Sequence, residues 1–188
     1  MNLLFYKQRF AKGAALIIGM MAVNSIMAQD TTSNTAAPQA TDQASQQAML
    51  DMQYADELGC FIIHGDEVRP VMPLLVSSDG LPDVAHDHVI AALDDALARG
   101  CDINQPDLNG LSPLNTAILQ SNVALVAYLI EHGADAAAPI SSTSEEIDGL
   151  DSLGLLDILS ERAPEQEAIW QQIRDILDAD SAGHLGTA

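Results

Sequence analysis

The sequence predicts an all-α chain, a short solenoid of stacked helix-turn-helix units with an N-terminal helical cap, and three observations lead there. The chain repeats itself, since Arg99-Gly100-Cys101-Asp102-Ile103-Asn104 lies 33 positions before His132-Gly133-Ala134-Asp135-Ala136-Ala137. At the same offset Ile90, Leu93 and Leu97 correspond to Val123, Val126 and Ile130, with the spacings of three and four that put side chains on one helix face. Each helical stretch then stops at a glycine, the residue that most readily takes the left-handed conformation closing a helix. A helix with one apolar face, repeated at constant interval, buries that face only by stacking on its neighbour.

The elements are placed in chain order on local chemistry. Residues 49–58 have helical spacing and are expected to cap the stack, because terminal units of repeat proteins are atypical. Residues 71–76 fill the inner-helix slot of the first unit, followed by an insertion around Asp79-Gly80-Leu81-Pro82, then an outer helix over 86–100. In the next unit Ser112 is suited to cap a helix that Pro113 begins, and Leu114, Ala117 and Ile118 form its packed face. Val123, Val126, Leu129 and Ile130 form the matching outer helix. Beyond an acidic, Ser-rich loop at 140–148, residues 155–159 and 166–178 supply a third pair whose register stays open by a few residues. Trp170, among Ile169, Ile173, Ile176 and Leu177, reads as core, with a binding aromatic as the alternative.

The ends have a different character. Lys7, Arg9 and Lys12 precede an apolar run from Gly13 to Val23 and a small residue at Ala28, the pattern of a secretory signal peptide over 1–28. An uncleaved anchor is the alternative, but the run is about half the roughly 20 residues needed to span a bilayer. Residues 29–47 are polar, without a large apolar side chain to offset ordering entropy, and read as a disordered linker. The repeat domain is expected over 48–180 and a flexible tail over 181–188.

Charge narrows the partners. Removing 1–28 takes three of the 7 basic residues and none of the 27 acidic ones, which leaves a net charge of about −23. Nucleic acid and anionic membrane surfaces are excluded, since binding to them relies on Lys and Arg displacing counterions. A basic protein surface would be attracted; the alternative is that the acid serves solubility alone.

Catalytic chemistry is thin, and no catalytic, cofactor-binding or metal-ligating residue is assigned; an enzyme is not expected. His86-Asp87-His88 begins a helix, where side chains two apart diverge, and no third ligand is marked by spacing. Paired acids such as Asp94-Asp95 and Glu145-Glu146 arise by chance in so acidic a chain, and no nucleophile elbow, phosphate loop or zinc signature is present. Cys60 and Cys101 remain after export, into a compartment where such pairs oxidise. A bond closing about 40 residues would stabilise the fold by about 4 kcal/mol. Cys101 also fills the slot held by Ala134 one repeat later, where a small buried residue suffices, so both explanations stand. They form no C-x-x-C, and no basic group flanks both of them, which argues against a redox centre.

Residues 107–135, with Asp107-Leu108-Asn109-Gly110, Ser112-Pro113-Leu114-Asn115, a second helix and Gly133-Ala134-Asp135, resemble the ankyrin repeat. The resemblance spans about residues 71–178, with its clearest repeat at 107–139, and departs where Asn115 stands in the place of the usual His, implying weaker hydrogen bonding between repeats. In ankyrin proteins the finger turns and inner helices line a concave face that grips a partner. Carried over, this points to Pro106, Leu108, Asn109, Leu111 and Thr116 as protein-binding residues. Leu108 and Leu111 would be apolar anchors, unless one or both are buried against the next repeat. The implied function is a periplasmic, monomeric protein-binding module without a cofactor, an immunity or inhibitor protein against a toxin. The alternative is an accessory to a stress-defence enzyme such as a catalase.

Overall fold

The computed structural model describes residues 53–184; the expected signal peptide, the linker, residues 49–52 of the expected cap and 185–188 of the tail lie outside them. Six helices follow one another: α1 Val71–Ser78, α2 His86–Ala98, α3 Pro113–Leu119, α4 Val123–Glu131, α5 Ser152–Arg162 and, after a 3-10 turn at Pro164–Gln166, α6 Glu167–His184. They form two rows. Helices α1, α3 and α5 pack in succession, α2, α4 and α6 each pack on the helix before them, and α4 also packs on α6.

The all-α expectation with a helical cap is corrected: the fold is mixed, and what precedes α1 is an antiparallel hairpin of β1 Phe61–His64 and β2 Glu67–Pro70. Ile62 lies opposite Arg69 and Ile63 opposite Val68, across the two-residue connection Gly65-Asp66. The chain ahead of the hairpin does not cap the stack as a helix. Tyr54 bridges Ile62, and the amides of Ala55 and Ile63 donate to Phe61 and Gln53 carbonyls at 2.9 and 2.8 Å. Local chemistry explains why helical spacing lost here. Phe61, Ile62 and Ile63 favour a pleated strand, Gly-Asp suits a tight hairpin turn, and the Asp56 carboxylate takes the amides of Cys60 and Phe61 at 3.2 and 2.8 Å.

The α3–α4 pair is built as its residues dictate. The Ser112 hydroxyl accepts from the Asn115 amide at 3.1 Å, Pro113 opens the first turn, and every residue of α3 is buried because α1, α4 and α5 enclose it. The Asn122 side chain caps α4 by accepting from the Leu125 amide at 3.1 Å. Leu114, Ile118, Leu125 and Leu129 have no exposed surface, and burial of each contributes about 1.5–3 kcal/mol.

The repeat is visible in the hydrogen bonds. Cys101 donates to Ala96 and Gly100 to Leu97 after α2; Ala134 donates to Leu129 and Gly133 to Ile130 after α4, the same bonds 33 residues on. The third unit keeps the pattern with an insertion. Asp107 and Leu111 close a turn through an amide-to-carbonyl bond of 2.9 Å, and Ile140 and Leu150 close its longer counterpart at 2.8 Å. Asp151 then caps α5 through the Gly154 amide at 2.8 Å as Ser112 caps α3, which sets the register at 39 residues, the 33-residue interval plus six.

Candidate functional site

The candidate site is the turn at 107–111, and its shape comes from one side chain. The Asp107 carboxylate accepts from the amides of Asn109 and Leu111 at 2.8 and 2.9 Å and from the Asn109 side-chain amide at 3.0 Å. The Gly110 amide returns to the Asp107 carbonyl at 3.0 Å. These bonds hold Leu108 at the tip, where 59% of it is exposed. The back of the turn is fixed just as firmly. Gly110 has φ +81°, and a β-carbon there would lie 1.8 Å from the Ser141 carbonyl oxygen, so this finger packs against the longer one at 140–150.

The sequence-predicted binding residues divide. Pro106, Leu108 and Asn109 are exposed together on this turn. Leu111 and Thr116 are buried at 1% and 2% exposure, and they are corrected from partner contacts to packing residues. Leu111 joins the core beneath the finger, and the Thr116 hydroxyl donates to the Ser112 carbonyl at 2.9 Å inside the α3 first turn. Trp170 is core as well, 3% exposed with its indole N–H donating to the Ala163 carbonyl at 2.9 Å.

The acidic surface is nearly unrelieved. The four described arginines each face an acid of this same chain: Arg69 with Glu67, Arg99 with Asp95, Arg162 with Glu146 and Arg174 with Asp157. Glu146 in the 140–150 finger is thus tied to α5, while Asp148 takes the Ser142 amide at 2.9 Å. Among the described residues, Asp56 and Tyr128 have shifted acidities. Burial works against ionisation of Asp56, but donations from the amides of Phe61, Cys60 and Leu58 and from its own together hold the carboxyl below its ordinary value. Burial raises the Tyr128 phenol, and the Asp94 carboxylate it donates to at 2.7 Å raises it further, so the hydroxyl stays a donor clasping α4 to α2.

Cys60 and Cys101 lie 5.2 Å apart at their α-carbons and are bonded, tying the hairpin to the turn after α2. Cys101 is also 6% exposed in the slot of Ala134, so both sequence explanations hold at once. His86 meets the Asp79 carboxylate at 3.0 Å, and that carboxylate also accepts from Asn122, which joins the two interhelical connections. Among the described residues, no group of His, Cys, Asp and Glu is arranged to hold a metal ion, and no helix is long and apolar enough to cross a membrane.

Sequence reasoning missed the hairpin and its exposed face, which carries Ile63 and Val68 at 43% and 50% exposure. The signal was present in β-branched Ile62 and Ile63 before Gly65-Asp66 and Val68 after it. No protein-family model matches the chain, and no curated protein matches it.

Proposed function

We propose that the chain is an exported protein-recognition module working as ankyrin-type repeats do, and that in the periplasm it engages a partner with a basic surface, as an immunity or inhibitor protein against a toxin. The observation that carries this reading is the Asp107-braced turn, which holds Leu108 exposed beside Pro106 and Asn109 on a scaffold of stacked helices. A large apolar side chain held rigidly at a turn tip costs little entropy on binding and suits an anchor inside a polar rim. The acidic excess, with each described arginine already paired, supports a cationic partner over an anionic one. The Cys60–Cys101 bond suits an oxidising compartment, as does a leader of the kind formed by residues 1–28.

The test is a pull-down from cell envelopes with the tagged full chain and with Leu108→Asp. Loss of a specific partner in the folded variant supports the reading, and retained capture ends it. A toxin as the captured protein supports the immunity role, whereas a peroxide-detoxifying enzyme would place the chain as its accessory.

A further inference from the structure

Four of the five large hydrophobic residues left exposed among the described residues precede α1: Tyr54, Leu58, Ile63 and Val68. Ile63 and Val68 are direct cross-strand partners, so their side chains share one face of the hairpin, and alternation puts Phe61 and Pro70 on that face too. Phe61 and Pro70 in turn line a groove of about 180 Å³ between the hairpin and the turn after α2. Leu58 and Met72 complete its apolar wall, and the Cys60–Cys101 disulfide lines it and ties its two sides together. The only charged side chains in the lining are carboxylates, Asp56 and Asp102.

We propose that this groove and the adjoining Ile63/Val68 face receive an extended segment of the partner protein in which a large apolar side chain is flanked by Lys or Arg. The inference rests on the reading of the chain as a protein-recognition module and names the partner's chemistry. Charge complementarity selects the occupant. The apolar walls accept a buried side chain, and the two carboxylates at the groove, in a chain whose arginines are all neutralised internally among the described residues, reward a neighbouring cation. A second copy fits less well, because it would bring another large negative charge. The outer strand offers it little, being four residues long with Glu67, Arg69 and Pro70, features that block strand addition. The disulfide fixes the groove's width before the partner arrives, which lowers the ordering cost of binding.

The experiment titrates the oxidised full chain into a fluorescein-labelled peptide alternating Lys with Leu and reads anisotropy. Two control peptides replace Leu by Ser or Lys by Glu. The expected result is binding of the first peptide alone, weakened about tenfold by Leu58→Ser or Val68→Ser and a few-fold by Asp102→Asn, with a shallower salt dependence in the last. The serine changes are at exposed positions and should leave the melting temperature in place, so lost binding would not reflect unfolding. Equal binding of the Ser-substituted peptide would reduce the groove to a diffuse electrostatic attraction and overturn the proposal. Unchanged affinity in both serine variants, or a concentration-dependent dimer that those variants abolish, would overturn it as well. If Leu108→Asp releases the cellular partner while Leu58→Ser and Val68→Ser retain it, the groove fails and the finger-based function stands.

Discussion

The Asn115 side-chain carbonyl accepts a hydrogen bond of 2.9 Å from the Ser152 hydroxyl, across the boundary between α3 and α5 and away from solvent. Asn115 is 3% exposed and Ser152 wholly buried, so neither group has water as a substitute partner. The resemblance to ankyrin repeats implied weaker bonding between repeats at this position. The polar link is nevertheless made, by a shorter amide that reaches a serine at the start of the next inner helix.

Asn115→Ala should therefore destabilise the fold by about 1–3 kcal/mol, because it strands a buried hydroxyl. Ser152→Ala should cost a similar amount by stranding the amide carbonyl. The double variant should cost less than the two single costs combined, since neither partner is then left unpaired. Urea denaturation of the four proteins measures the coupling, and strict additivity would show that the bond contributes nothing of its own.

Reduction of Cys60–Cys101, or Cys60→Ser with Cys101→Ser, should lower stability by about 4 kcal/mol if the unfolded-chain entropy model holds for a bond spanning 41 residues. The loss should be felt first in the hairpin. Hydrogen exchange at the β1 amides should accelerate before exchange in α3, because the disulfide ties the residue just ahead of β1 to the turn after α2.

Two glycines separate strain from crowding. Gly133 has φ +90° and open space around a hypothetical β-carbon, so Gly133→Ala should cost only the left-handed penalty, about 1–2 kcal/mol. Gly110 has φ +81° and the Ser141 carbonyl in the way, so Gly110→Ala must also push the two fingers apart. Thermal denaturation should show a clearly larger loss at Gly110, and equal losses would mean that the contact between fingers is dispensable.

The repeated helix pairs were legible because their signals are local and redundant: apolar spacing, a capping Ser112, Pro113 and a terminal glycine all agree for α3 and α4. The absence of a helical cap was not, because residues 53–58 carry helix-compatible apolar spacing while the bonds that decide against a helix run from Asp56 to Cys60 and Phe61 and across strands to Ile62. The site was half legible. Pro106, Leu108 and Asn109 are exposed as expected of a turn tip, but Leu108 and Leu111 look alike in sequence, and only the closure between Asp107 and Leu111 turns one outward and the other into the core. The third register was hidden by a six-residue insertion that the Asp151 cap makes plain.

Acid should loosen the hairpin through Asp56. Its carboxyl titrates below the ordinary 3.8 when folded, so its contribution to stability is complete above that value and is lost as pH falls through the lower, folded value. Exchange protection at the Cys60 and Phe61 amides should fall over that acid range in the natural chain. In Asp56→Asn protection should be weaker at neutral pH and insensitive to acid there. A pH response that survives in the variant would locate the acid sensitivity at another carboxylate.

The divided fate of the two leucines yields the sharpest expectation. Leu108→Asp changes a side chain that is 59% exposed and should move stability by less than about 0.5 kcal/mol. Leu111→Asp places a carboxylate where 1% of the residue is exposed and no cation is at hand in the core cluster, and it should cost on the order of 4 kcal/mol or more, a large part of the roughly 5–15 kcal/mol that holds an ordinary domain folded. Circular dichroism melts of the two variants read the difference directly. A variant carrying both changes would lose any partner merely by unfolding, so only the single change at Leu108 can report on recognition, and a melt showing Leu111→Asp as stable as the natural chain would mean that the finger turns its other side to solvent.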